Sequence, residues 1–346
     1  MSGFLAVLVV VLIFIVIFQI AKASEYVSIL KGEKKAREQS NRINGFLLIA
    51  FLVLGLIGVY WCNDLLKGKI LGESASVQGE GVDNLIYVTL IITGVVFVLT
   101  QIALFWFAFK YQEKEGKEAF YFPHNNKLEI IWTVIPAIAL TILVAFGLKH
   151  WFQLTSEAPK DAMVVEITGK QFNWIYRYPG KDGQLGRREF SKIDPAKGNE
   201  LGVDWTDPLS KDDFIPTEMH LVVGKPVKMI IGSRDVIHDV GLPHFRMKMD
   251  AVPGIPTTLW VTPKFTTKEM KEKTGNPDFT YEISCDQMCG SGHYSMRGVI
   301  VVETQEEFDK WVTSQKSAYD LANPAPAAPE APKADTTQKT VAANIK

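Results

Sequence analysis

Cys285-Asp286-Gln287-Met288-Cys289-Gly290-Ser291-Gly292-His293-Tyr294-Ser295-Met296 brings two thiols, an imidazole and a thioether together in one short run. These are soft and borderline donors, the set that suits copper in both of its common oxidation states. One Cys with a His and a Met describes a one-copper blue site. Two Cys let both sulfurs bridge a pair of metals. The run therefore points to electron transfer, not to hydrolysis. It needs at least one more ligand from elsewhere, and Asp235-Val236-Ile237-His238 is the best source. His238 lies well upstream of Cys285, with strand-like runs between, so it arrives through the fold. A β-sandwich does this when a ligand loop at one end meets a ligand from a neighbouring strand end.

The chain around this run has 346 residues, a net charge of −1 and 47% hydrophobic residues. The length leaves room for roughly two or three structural units. A near-zero charge gives no case for nucleic-acid binding, and three Cys are too few for a disulfide framework. The apolar residues are unevenly spread. Four runs, at about 4–21, 45–61, 85–109 and 130–148, each approach or exceed the roughly 18–20 residues that cross a bilayer as a helix. Trp61, Trp106, Tyr111, Trp132 and Trp151 sit near run ends, where aromatic belts form.

The connections set the orientation. The first, 22–44, carries Lys22, Lys31, Lys34, Lys35, Arg37 and Arg42, whereas the second, 62–84, has only Lys67 and Lys69. The third, 110–129, has Lys110, Lys114, Lys117 and Lys127. Basic connections stay in the cytoplasm, so everything after Trp151 is expected on the outer face. Ala21-Lys22-Ala23 has the look of a signal-peptidase site. The first run lacks a basic leader and is longer than a signal peptide's apolar core, so the first helix is expected to be retained.

From residue 158 the pattern changes to short β-rich runs, at about 163–168, 171–178, 219–223, 227–231, 258–262, 279–284 and 298–302. Pro179-Gly180, Gly224-Lys225-Pro226 and Pro253-Gly254 punctuate them. Such spacing reads as an antiparallel sandwich or barrel. Thr304-Gln305-Glu306-Glu307 is a capping box that opens a short helix to about Ser314. Residues 181–216 form a polar insertion, long for a hairpin. Residues 318–346, rich in Ala, Pro, Thr and Lys, read as a disordered tail.

The spacing Cys285-x3-Cys289-x3-His293-x2-Met296, with His238 upstream, resembles the dinuclear copper signature of cytochrome c oxidase subunit II. Leu242-Pro243, Lys248-Met249-Asp250 and Ala251-Val252-Pro253-Gly254 fit the same family. So does Leu128-Glu129-x2-Trp132-Thr133-x2-Pro136 at the start of the fourth run. The resemblance covers about 85–315. It implies a fold of four transmembrane helices followed by an extracytoplasmic cupredoxin-like β-sandwich or barrel. Residues 1–62 are two helices beyond the family's usual pair, 84–152 the subunit II hairpin, and 158–316 the copper domain.

The resemblance also implies roles. Cys285 and Cys289 bridge two copper ions, while His238 and His293 each supply an imidazole. Met296 and the backbone carbonyl of Gln287 complete the set. The expected partners are oxidase subunit I, which carries the heme, the other oxidase subunits, a c-type cytochrome donor and the lipid bilayer. The two added helices suggest contact with another respiratory complex. The expected location is a bacterial inner membrane, with the copper domain on the periplasmic side. Phe172 stands where the family carries the Trp through which electrons arrive, and Trp174 is a second aromatic in the same run. Glu129, at the inner mouth of the fourth helix, is implied as the start of a proton pathway. Gln287 replaces a Glu that reaches a magnesium or manganese ion in many members, so that ion is not expected.

Other readings stand beside these. Cys285 and Cys289 suit a disulfide in an oxidising compartment, and two Cys with two His suit structural zinc. Met296 and Trp174 suit a core, Phe172 suits packing, His238 suits an ordinary histidine, and Glu129 suits a helix start. Asp204, Asp207, Asp212 and Asp213 read as a solvated loop or as an acidic patch steering a basic donor. His220 and His244 read as ordinary polar residues. A membrane-anchored copper carrier without an oxidase partner is the functional alternative. A quinol oxidase subunit normally loses the copper ligands, and nitrous oxide reductase needs a further His-rich domain. No Cys-x-x-Cys-His is present for a fused c-type heme.

Overall fold

The computed structural model describes residues 2–67, 72–114 and 116–323. It divides into two units: Met1–Gly72 with Gly81–His150, and Glu73–Glu80 with Trp151–Lys346.

The first unit is built from α1 (Ser2–Lys31), α2 (Glu33–Leu66), α3 (Val77–Lys110) and α4 (Asn126–Thr155). All four are long and apolar enough to cross a membrane. Their large apolar side chains point outward along most of their length, which is stable only where the solvent is lipid. Hydroxyls within the spans are satisfied by the helix itself: Thr89 donates to the Leu85 carbonyl and Thr141 to the Ala137 carbonyl, each at 2.8 Å. The basic segment 22–44 is helical, not a loop. Glu33-Lys34-Lys35-Ala36-Arg37 are strong helix formers, and only Gly32, at φ 80°, interrupts them. The helix also runs unbroken through Ala21-Lys22-Ala23.

The second unit is a sandwich of two mixed sheets. Its strands are β1 (Met163–Lys170), β2 (Asn173–Arg177), β3 (Met219–Val222), β4 (Val227–Ser233), β5 (His238–Leu242), β6 (Met247–Ala251), β7 (Thr257–Val261), β8 (Tyr281–Cys285) and β9 (Arg297–Glu303). One sheet has the order β2-β1-β4-β7 and the other β3-β9-β8-β5-β6. The β1–β4 and β3–β9 pairs are parallel and the rest antiparallel. Alternate residues face inward: Val165, Ile167, Met229 and Ile231 from one sheet meet Val240, Leu242, Ile283 and Ile300 from the other. Each such side chain contributes about 1.5–3 kcal/mol by leaving water.

Three helices finish this unit: α5 (Thr267–Thr274), α6 (Gln305–Ser314) and α7 (Ala318–Ala322). The capping box at Thr304 forms as expected, with the Thr304 hydroxyl accepting from the Glu307 N–H. Residues 73–80, read above as part of a connection, instead join the sandwich. The Ala75 N–H donates to the His244 carbonyl at 2.8 Å, and Ser74, Ala75 and Ser76 are buried.

Two expectations are corrected here. The tail was expected to be disordered from residue 318, yet Ala318–Ala322 are helical; residues 324–346 lie outside the described residues. The acidic residues of the insertion are not a docking patch, because Asp204, Asp207 and Asp213 are buried. Lys192 reaches Asp204 at 2.7 Å and Arg177 reaches Asp213 at 3.1 Å. Hydrogen bonds from Lys192 and Thr206 hold the Asp204 carboxyl well below its ordinary range. Their charge is used inside the fold and has little left to offer a partner.

Candidate metal centre

The carboxyl end of β8 supplies Cys285, and the loop to β9 supplies Gln287, Cys289, His293 and Met296. His238 opens β5, which pairs with β8 so that Val240 faces Cys285. That register carries the imidazole across to the loop.

The two sulfurs stand 3.7 Å apart, too far for the roughly 2.05 Å of a disulfide bond. His238 Nδ1 lies 3.8 Å from Cys285 Sγ, and His293 Nδ1 lies 3.7 Å from Cys289 Sγ. Met296 Sδ is 3.9 Å from Cys289 Sγ, and the Gln287 carbonyl oxygen is 3.2 Å from Cys285 Sγ. All six donors of the sequence reading therefore converge. Among the described residues, one donor atom each from His238, Cys285 and Cys289 lies within 4.8 Å of the others. His238 and Met296 are fully buried, and both Cys nearly so. Burial and the neighbouring Cys285 push the Cys289 thiol up to about 11. A metal that takes these sulfurs must displace their protons.

Residues around the donors fix their directions. Asp235 Oδ1 lies 2.8 Å from His238 Nε2, which leaves Nδ1 for the sulfurs. The same carboxylate accepts from the Gln171 and Val236 N–H groups, at 2.8 and 2.7 Å. Burial raises its pKa, but the Gln171, His238 and Val236 hydrogen bonds outweigh that and hold it below the ordinary range. The Gln171 side-chain amide donates to the Cys289 carbonyl at 2.6 Å. Gln171 thus ties the β1–β2 turn to the ligand loop, a role the sequence reading did not find. Gly169 makes room for the buried imidazole, since a Cβ there would sit 2.8 Å from His238 Cδ2.

The ring of Phe172 is half-buried and lies over Gly290 and Gly292; a Cβ on Gly292 would meet it at 2.5 Å. Trp174 takes the packing position that was the alternative to electron entry. It is only 6% exposed and packs edge-on to His238, with ring centroids 6.1 Å apart. It has no face to offer a donor protein, so it walls the ligand from inside. Glu129 lies in the first turn of α4, exposed, with its N–H on the Asn125 carbonyl at 3.0 Å. His220 pairs with Glu303 at 2.8 Å and stacks on Trp311, and His244 packs on Phe279 and Tyr281. Neither joins the donors.

A membrane-anchored β-sandwich with a buried thiolate–imidazole–thioether cluster is a cupredoxin-like copper protein of electron transfer. Residues 65–149 match the family model for the transmembrane domain of cytochrome c oxidase subunit II, and residues 163–304 match that for its periplasmic domain. The alternative cytochrome c oxidase subunit 2 of Bradyrhizobium diazoefficiens is 37% identical, over 70% of this chain and 82% of that one. The cytochrome c oxidase subunit 2 of Thermostichus vulcanus is 28% identical, over 76% of this chain and 83% of that one. A crystal structure of the periplasmic domain of subunit II from Bradyrhizobium japonicum is 28% identical, over 47% of this chain and 99% of that one, with a TM-score of 0.32. The chain belongs to the cytochrome c oxidase subunit II family. It is a multi-pass membrane protein with its copper domain on the periplasmic side.

Proposed function

We propose that Cys285, Cys289, His238, His293, Met296 and the Gln287 carbonyl hold two copper ions as one dinuclear centre. The carrying observation is the pair of sulfurs with one imidazole Nδ1 on each side, at 3.8 and 3.7 Å. Cys285 and Cys289 would hold the ions as thiolates, His238 and His293 would each supply an imidazole nitrogen, and the Met296 thioether and Gln287 carbonyl would add weaker donors. When bound, the copper pair would supply one-electron transfer between a c-type cytochrome and the heme of subunit I, where oxygen is reduced to water and protons are pumped. The residues do the rest: a buried donor set braced by the Asp235–His238 and Gln171–Cys289 hydrogen bonds keeps the reorganisation cost of electron transfer low. The Met296 thioether, a soft donor outside the Cys, His and carboxylate set that holds structural zinc, favours copper over zinc. Copper content and EPR of the purified enzyme test the assignment. Hyperfine structure from one electron shared over two equivalent copper nuclei is expected. One copper nucleus, or zinc, in each chain would overturn it.

Asp235 positions His238. Asp235→Ala is expected to weaken copper retention about 10–100-fold, the usual cost of losing the hydrogen bond behind a metal-bound His. Asp235→Asn, which keeps a hydrogen-bonding oxygen, is expected to lie between wild type and Ala. Competitive chelation reads both, and equal retention in all three refutes the role.

Phe172 covers the ligand loop from outside and is the aromatic through which the donor reaches the centre. Phe172→Ala is expected to slow oxidation of reduced c-type cytochrome without loss of copper; an unchanged rate removes Phe172 from the route. Glu129 opens the proton route into subunit I at the inner end of α4. Glu129→Gln is expected to slow turnover and proton uptake together, and unaltered uptake rejects the assignment. The working form is the complex with the other oxidase subunits.

A further inference from the structure

The turn between β1 and β2 is the pair Gln171-Phe172, with Lys170 facing Asn173 across it. It lies between two arms of the donor set. One arm is the segment that leads into His238, and the other is the loop that carries Cys289. The turn is bonded to both. On the imidazole side the Gly169 carbonyl accepts from the Arg234 N–H at 2.9 Å, and the Gln171 N–H donates to Asp235 Oδ2 at 2.8 Å. On the thiolate side Gln171 Nε2 donates to the Cys289 carbonyl at 2.6 Å. Phe172 lies against the same loop: a Cβ on Gly290 would sit 3.0 Å from both Gln171 Nε2 and Phe172 Cζ.

Hydrogen bonds in series therefore run from Cys289 through Gln171 and Asp235 to His238, at 2.6, 2.8 and 2.8 Å. They join the arms where the sheet does not. β5 and β8 pair at Val240–Cys285 and Gly241–Ser284, which ties His238 to Cys285. Cys289 lies beyond the end of β8. A bond to its carbonyl fixes the peptide that carries it, and through Cα the direction of Sγ. The two sulfurs stand 3.8 and 3.7 Å from their imidazoles. Those near-equal distances last through a change of charge only if the arms move together. The same amide N–H points at the loop where an added electron would rest, and a donor so placed favours the reduced form.

We propose that Gln171 is a positioning residue for electron transfer: its amide holds the Cys289 arm to the Asp235–His238 arm, so that both halves of the centre keep matched geometry in either oxidation state. The proposal rests on the dinuclear reading of the site. Gln171 supplies no donor to the metals and acts through Asp235 and the Cys289 carbonyl.

Gln171 is exposed, so its substitution should leave the sandwich folded. Gln171→Met keeps the length of the side chain and removes the donor. Gln171→Glu keeps the shape, but an ionised carboxylate only accepts. Both retain the main-chain N–H on Asp235. In the assembled oxidase both are expected to lower the reduction potential of the centre, Glu more than Met because it adds negative charge. Both are expected to make the two copper nuclei unequal in the EPR spectrum. Electron uptake from reduced c-type cytochrome is expected to slow about tenfold, the lower end of what residues behind metal ligands cost. Hydrogen exchange over residues 286–293 is expected to speed up about tenfold. Gln171→Asn, which keeps the amide on a shorter stem, is expected to lie between wild type and Met. A wild-type potential and spectrum in Gln171→Met overturns the proposal and leaves the copper pair standing. Faster exchange with potential and spectrum unchanged also overturns it, because Gln171 would then be a brace of the loop alone. A wild-type enzyme without the shared-electron spectrum would sink the dinuclear reading, and this proposal with it.

Discussion

Cys285→Ser in the assembled oxidase is expected to abolish the shared-electron copper spectrum and to lower cytochrome c oxidation by more than about 100-fold. Loss of a hydrogen bond one step behind a metal already costs about 10–100-fold, and this change removes a bonding thiolate itself. Cys285 and Cys289 each lie against three other donors, more than any other member of the set. Cys285 lies 3.7 Å from Cys289, 3.8 Å from His238 Nδ1 and 3.2 Å from the Gln287 carbonyl. A serine hydroxyl is a hard donor that stays protonated near neutral pH, so it cannot bridge two soft metals. The substitution changes little volume in a site that is already buried, so the β-sandwich should fold as before. Copper analysis, EPR and the steady-state rate with reduced c-type cytochrome form one set of readouts. Near-normal rates with a normal copper count would mean that Cys285 is not a bridge. The dinuclear reading would then fail.

Cys285, Cys289, His293 and Met296 were legible as candidate donors because their type and spacing put them in one short loop; His238 was read from a separate motif, and the Gln287 carbonyl came only from the family resemblance. The four spans were legible because bilayer thickness sets a length that no ordinary core helix needs. Strands such as β1 and β4 carry inward-facing Val, Ile and Met, and these too could be read. The structure added what sequence distance hides. β5 reads His238-Asp239-Val240-Gly241-Leu242, and its Asp and Gly, buried with the rest, break up the β-branched and aromatic run by which a strand is read. Asp235 stood in the quoted motif, but only the fold brings its carboxylate to Nε2 of His238 and to the Gln171 N–H. The burial of Asp204, Asp207 and Asp213 was illegible for the same reason. Their partners Arg187, Lys192 and Arg177 are spread along the chain, and a run of Asp with no visible partner looks solvated. Trp174 and Phe172 differ by two positions in one aromatic run. Only the pairing of β2 with β1 decides that Trp174 turns inward while Phe172, before the strand, lies over the ligand loop.

Those buried carboxylates make the insertion part of the sandwich, and Arg177 is where the two meet. Its guanidinium is 2% exposed. It donates to Glu166 at 2.6 Å, to Asp213 at 3.1 Å and to the Gly186 carbonyl at 3.0 Å. Glu166 has a second cation in Arg188, at 2.9 Å, whereas Asp213, fully buried, has no other among the described residues. Arg177→Ala therefore strands a carboxylate inside the protein, and the expected loss is about 3–5 kcal/mol. The loss should also depend on pH. Burial pushes the Asp213 carboxyl up from 3.8 to about 6, with Arg177 the main opposing influence. A raised carboxyl pKa means that the folded chain holds the proton more tightly, so stability falls as pH rises through that window. Without Arg177 the folded pKa climbs further and the decline extends to higher pH. The variant should thus be closest to wild type near pH 5 and furthest from it near pH 8, by this linkage. Urea unfolding of the purified complex at both pH values measures the difference. Copper spectra of the folded fraction should stay normal, because Arg177 touches none of the donors. A destabilisation that is small, or equal at both pH values, would show that Asp213 finds its compensation elsewhere and that the insertion is held by other means.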